Sequence, residues 1–263
     1  MRSPYIALAV TAALLAPGCA DDRVRLTFRP VPGATYDYET SVESTTRTEL
    51  PGQAPVEEPQ SVRLRSHERV LEVSGASARV EVELTRPGTG ARTYVMHFDR
   101  AAQLTAVESV EGIPAESLGD LGLSEIFPAA AGAPPDRPLR PGDRWTIDDS
   151  VQLSADEPPT RLQGVGRLRE LGVIDGRRTA TVVSSTNLPL RSVSTAGTSR
   201  QMIDGTQHTD ITVTYDLADG AVRHVSSVTT ARYTVTIEPA LGQTADPIVG
   251  SLTVVVRSEI ART

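Results

Sequence analysis

The chain has 263 residues and 39% of them are hydrophobic, enough for one or two folded units with a buried core. Its formal net charge is −7, all 26 basic residues are Arg and no basic cluster stands out, so nucleic acid is excluded as an expected partner. Aromatic residues are only 4%, which leaves the core to Val, Leu, Ile and Ala.

Residues 1–18 read as an export signal. Arg2 precedes an apolar run, Ile6 to Leu15, and the small residues Ala16-Pro17-Gly18 follow it. The run is too short to cross a hydrocarbon layer of ~30 Å as a helix. Cys19, the single cysteine, stands where a bacterial lipobox places the residue that receives lipid. The segment resembles lipoprotein signals at Gly18 and Cys19, with Leu15 one position earlier than usual. That resemblance implies diacylglycerol and palmitate-type acylation of Cys19, residues 19–22 as a tether, and a membrane as partner through the anchor. Two or three acyl chains suffice for stable anchoring. No Asp follows Cys19 directly, which favours the outer membrane if the envelope has two. Cleavage after Ala20 by an ordinary signal peptidase is the alternative. Either way the folded part carries no disulfide.

From Arg23 the pattern has period two, the mark of half-buried strands. Val24, Leu26 and Phe28 alternate with polar residues; after Pro32-Gly33, so do Tyr36, Tyr38, Thr40 and Val42. Pro51 to Pro59 has no apolar period and reads as a surface loop. Val62 to Val73 and Ala78 to Thr85 form a predicted hairpin. Tyr94, Met96 and Phe98 define the next inward face, and Leu104 to Val110 the strand after it. Ile113 to Phe127, with Pro114 near its start and apolar Leu118 and Leu121, is expected to be one short helix. Ala129 to Pro141, rich in Ala and Pro, reads as a connector.

The second part replays the first. Gly142 to Leu153 matches Gly33 to Ser44, Arg161 to Leu171 resembles Arg63 to Val73, and Thr212 to Asp216 resembles Val95 to Asp99. Ser192 to His208 reads as an inserted Ser/Thr/Gly-rich loop. Arg232 to Ile237 and Ser251 to Ser258 are the last strands. The expectation is a mainly β protein of two related antiparallel halves, 23–112 and 142–263, forming a curved sheet, half-barrel or sandwich, with the short helix and connector at 113–141 between them. Gly33 and Tyr36 start one half; Gly142, Asp143 and Trp145 start the other. These five form the structural motif, with the aromatics as plugs and Asp143 as a turn cap.

No chemistry-bearing constellation emerges. His67, His97, His208 and His224 lack metal-ligand spacing, and no cofactor is expected. Asp37 and Asp148 could form a glycosidase-like pair if the two halves pack face to face, but no aromatic sugar platform accompanies them. No GxSxG elbow or SxxK motif occurs, and Gly164-Val165-Gly166 lacks a phosphate-loop context. No enzyme is expected.

The Pro-Gly-aromatic entry at Pro32 to Tyr36 and the mid-chain Pro-Leu-Arg-Pro-Gly-Asp-Arg-Trp, with Gly142, Asp143 and Trp145 matching, resemble a group of uncharacterised bacterial envelope lipoproteins. More loosely, the architecture is similar to half-barrel lipid-carrier lipoproteins. The resemblance implies an exported, membrane-anchored protein. Two functions follow as expectations: a non-catalytic binding or carrier module for an apolar, lipid-like ligand, or a structural or protein-interaction module of the envelope without a ligand cavity.

Overall fold

The computed structural model describes residues 23–88, 90–114, 133–151, 159–196, 199–239 and 246–263. Cys19 and the signal segment lie outside the described residues, as does the expected helix beyond Pro114. Ile113–Pro114 itself is a short strand rather than a helix start.

Twelve strands follow one another: β1 Thr35–Glu49, β2 Val56–Ser74, β3 Ser77–Arg86, β4 Gly90–Phe98, β5 Leu104–Val110, β6 Ile113–Pro114, β7 Arg144–Val151, β8 Thr160–Ile174, β9 Arg177–Ala196, β10 Ser199–Asp216, β11 Val222–Glu238 and β12 Ile248–Arg262. All belong to one antiparallel sheet in the order β6-β5-β4-β3-β2-β1-β12-β11-β10-β9-β8-β7. Sequential neighbours pair everywhere except β6 and β7, which lie at opposite edges, and β1 joins β12 from Tyr38↔Arg262 to Glu49↔Ser251. The sheet is curved and open, with β6 and β7 at its edges; the sandwich alternative is therefore corrected to a single sheet.

Alternation explains the two faces. On β3, Ala78, Val80, Val82 and Leu84 are buried and their neighbours are not. The outer face is laced with cross-strand pairs, among them Arg65 to Glu39 at 2.9 Å and Arg69 to Glu81 at 2.8 Å. Exposed pairs of this kind contribute at most about 1 kcal/mol each. Their main effect is to keep that face wet.

Two expected loops are partly or largely strand. β2 starts at Val56, inside the Pro51 to Pro59 segment, and Ser192 to His208 falls largely within β9 and β10. Prolines are tolerated there because the strands have a free edge: β2 pairs β3 only from Arg65 on, and β9 pairs β8 only up to Asn187, so Pro59 and Pro189 each have one partner strand. The expected first strand also differs. Among residues 23–29 only Val24 forms a bridge, to Leu139 in the connector.

Instead, this extended segment ties three loops together. Val24 and Leu139 exchange backbone hydrogen bonds of 2.8 Å, Phe28 N–H donates to Arg100 O at 2.7 Å, and Arg29 N–H to Asp219 O at 2.6 Å. Val24, Leu26 and Leu139 are buried in a cluster with Leu168, Ala180, Val182 and Tyr215. A second cluster centres on β1 to β4, around Val80, Val82, Met96 and Phe98.

The turns before β1 and β7 share one geometry. Ala34 N–H donates to Val31 O and Asp143 N–H to Arg140 O, both at 3.0 Å, around Gly33 (φ 85°) and Gly142 (φ 94°). Proline followed by a glycine at positive φ is the pattern of a type II turn. Gly33 N–H then donates to Val70 O, and Gly142 N–H to Leu168 O, both at 2.8 Å. A bulge follows at the equivalent step in each strand, between Val70 and Glu72 and between Leu168 and Glu170.

Candidate ligand-binding cleft

The inward faces do not close completely. One register row, Val182, Val213, Val225, Ile260 and Thr40, runs across β9, β10, β11, β12 and β1 and lines a cleft. Phe98 and the turn residues Ala101 to Leu104 line it from the β4–β5 side. Phe28 and Pro134 bound it from the crossing segment and the connector. The cavity measures about 130 Å³.

Its polar lining is sparse and lies mainly on β1 and β2. Thr40, Ser66 and Glu68 are all buried and contribute to the wall. Glu68 sits opposite Tyr36 on β1 and Val82 on β3. It is 9% exposed and makes no hydrogen bond or close ion pair with any described residue. Burial raises its pKa to about 8; nearby Arg262 partly offsets this, and Asp37 adds to it. Arg262 itself lies over the Tyr36 ring, 4.6 Å from its centroid, and one of its guanidinium nitrogens, Nη1, is buried without a hydrogen-bond partner among the described residues. Gln103 is a second inward group: its Oε1 is buried and accepts no hydrogen bond among the described residues.

The tyrosines beside Glu68 are anchored to the β10–β11 turn. Tyr36 Oη donates to Asp219 Oδ2 at 3.2 Å, and Tyr38 Oη to the Val222 carbonyl at 3.0 Å. Burial holds both phenols above the ordinary tyrosine range. The neighbouring Asp216 contrasts with Glu68. It is fully buried, but its Oδ1 accepts the Ala218 N–H at 2.9 Å and its Oδ2 pairs with Arg177 at 3.1 Å. Asp216 is satisfied by the fold, whereas Glu68 faces the cleft.

The residues singled out from the sequence take structural positions. Gly33 and Gly142 occupy the two turns described above. Asp143 Oδ2 accepts the Arg140 N–H at 3.1 Å and pairs with Arg137 at 3.2 Å, which lowers its pKa. Tyr36 is buried and sits across from Glu68 in the β1–β2 register, outside the cleft lining. Trp145 lies across β8 from the cleft's lining strands and packs over Gly166, where any Cβ would come within 2.2 Å of the indole. Gly164-Val165-Gly166 is thus a strand that makes room for a ring and for Thr186.

Asp37 and Asp148 are not brought together. They lie on β1 and β7, and pair with His67 at 2.7 Å and Arg161 at 2.6 Å. His97 and His224 likewise meet Glu108 and Glu259 on the outer face, at 3.1 and 3.3 Å. Among the described residues no group of three or more His, Cys, Asp or Glu could hold a metal ion, and no helix is long and apolar enough to cross a membrane.

Sequence reasoning passed over Glu68 and Gln103. The signal for Glu68 was present: Val62, Leu64 and Val70 set the inward register of β2, and Ser66 and Glu68 occupy inward steps between them. The chain matches no protein-family model and no curated protein.

Proposed function

We propose that the protein is a non-catalytic binding module whose curved sheet holds an apolar molecule in this cleft. The cleft itself carries the reading. Protein interiors pack to a density near ~0.75, so a row of Val and Ile side chains left facing open space needs an occupant. An apolar cavity of about 150 Å³ takes benzene. The 130 Å³ here suits a small ring or the end of one alkyl chain, not both chains of a diacyl lipid.

The matched turns and bulges support the further reading that β1 to β6 and β7 to β12 are related halves. The Cys19 lipobox supports export and lipid anchoring at a bacterial envelope. Arg23, Arg25, Arg29, Arg100 and Arg178 border one hollow at the end nearest the tether. From Cys19, four residues reach Arg23, a span of at most ~14 Å. The arginines would then face anionic headgroups within about two Debye lengths at physiological salt.

Octanol titrated against a fluorescent apolar probe tests the function. Saturable binding is expected, and Val213→Trp, which fills the cleft, should abolish it with the far-UV spectrum unchanged. If the native protein shows no saturable binding, the envelope structural module is the better reading. Cys19→Ser should remove the lipid mass increment and release the protein from membranes; unchanged partitioning would refute the anchor.

A further inference from the structure

The cleft concentrates features that complement a cation. In a chain with only three Phe, six Tyr and one Trp, the residues Phe28, Tyr38, Phe98 and Tyr215 all line it. No Arg lines it, and the chain has no Lys. Two buried acceptors open onto it without a donor from the described residues, the Glu68 carboxylate and Gln103 Oε1. Aromatic rings with a carboxylate attract ammonium groups, and unsatisfied acceptors call for N–H donors.

We infer that the ligand's inner end is a cationic amine, held by Glu68 and the rings of Tyr38, Phe98 and Tyr215, with its alkyl or ring portion along Val182, Val213 and Ile260. This rests on the binding-module reading and specifies its ligand class. An anionic head finds no cation in the lining: no Arg lines the cleft, and Arg262, over the Tyr36 ring, lies outside the lining set. A neutral hydroxyl could meet Ser66 or Thr40 but leaves the carboxylate unused.

The groups around Glu68 give the site a pH signature. Arg262 of β12 favours its ionised form and Asp37 of β1 disfavours it; Tyr36 and Tyr38 of β1 and Asp219 of the β10–β11 turn complete the set. Burial outweighs Arg262 and lifts the carboxyl to about 8, so at neutral pH it is protonated before an amine arrives. An ammonium prefers the ionised carboxylate and displaces that proton. Affinity for the amine therefore rises with pH up to about 8.

Octylamine, octanol and octanoate, titrated into the full chain carrying Cys19→Ser so that no detergent competes, separate the possibilities. Octylamine is expected to bind at least about tenfold more tightly than either other compound, from one charge-assisted hydrogen bond. Glu68→Gln should erase that advantage and its pH dependence, so that octylamine then binds the variant no more tightly than octanol does. Equal or tighter binding of octanol or octanoate, or an octylamine affinity indifferent to Glu68→Gln, overturns the amine inference and leaves the cleft reading intact. If none of the three binds, both fall.

Discussion

Glu68 is held in place by its strand rather than by a partner, and stability should register this. Between the ordinary glutamate value of 4.5 and about 8, the folded protein retains a proton that the unfolded chain has released. The folded state binds more protons in that window, so stability is greatest below it and falls as pH rises through it. The loss is on the order of a few kcal/mol. Urea midpoints measured from pH 5 to 9 should decline for the native protein and stay flatter for Glu68→Gln, which should be the more stable of the two above about pH 8. Identical flat curves would mean that the carboxyl is effectively solvated. The inward register of Glu68 was legible in β2. Its isolation was not, because that depends on Tyr36, Tyr38 and Arg262, which come from β1 and from β12 at the far end of the chain.

At the scale of elements, period-two alternation located strands wherever the inward face is apolar, as in β3 and β4. It failed where that face becomes hydrophilic. Between Ser192 and His208 the inward steps include Gly205 and Gln207, so a strand reads as a loop. Residues 23–29 illustrate the converse: their alternation reflects burial of Val24 and Leu26 in a crossing segment rather than a ladder. That crossing depends on Gly220, which has φ +74° and whose added Cβ would lie 2.0 Å from Thr27 O. Gly220→Ala should cost about 1–3 kcal/mol through backbone strain alone, with displacement of Thr27 in addition. Gly52→Ala provides the control, since Gly52 has φ +75° and no atom within 4 Å. The expected result is a larger loss of stability for Gly220→Ala, with faster trypsin cleavage after Arg23 and Arg25. Equal behaviour of the two variants would show that the segment does not restrain that end of the sheet.

For the whole molecule, the strand order decides whether the two six-stranded runs can act separately. They meet along β1 and β12, and Ala221 from the β10–β11 turn is buried in the cluster built on β1 to β5. The cleft is also lined from both runs, so its geometry requires them together. A single cooperative transition follows. Trp145, the only Trp, reports from β7 at one edge, while Met96 is fully buried in β4 toward the other. Met96→Ala should destabilise the fold by about 2–5 kcal/mol. If the sheet is one unit, the urea midpoint read from Trp145 fluorescence falls as far as the midpoint read from far-UV circular dichroism. If the runs unfold independently, the Trp145 midpoint stays where it was, and the cleft would then be an interface between two units rather than a pocket within one.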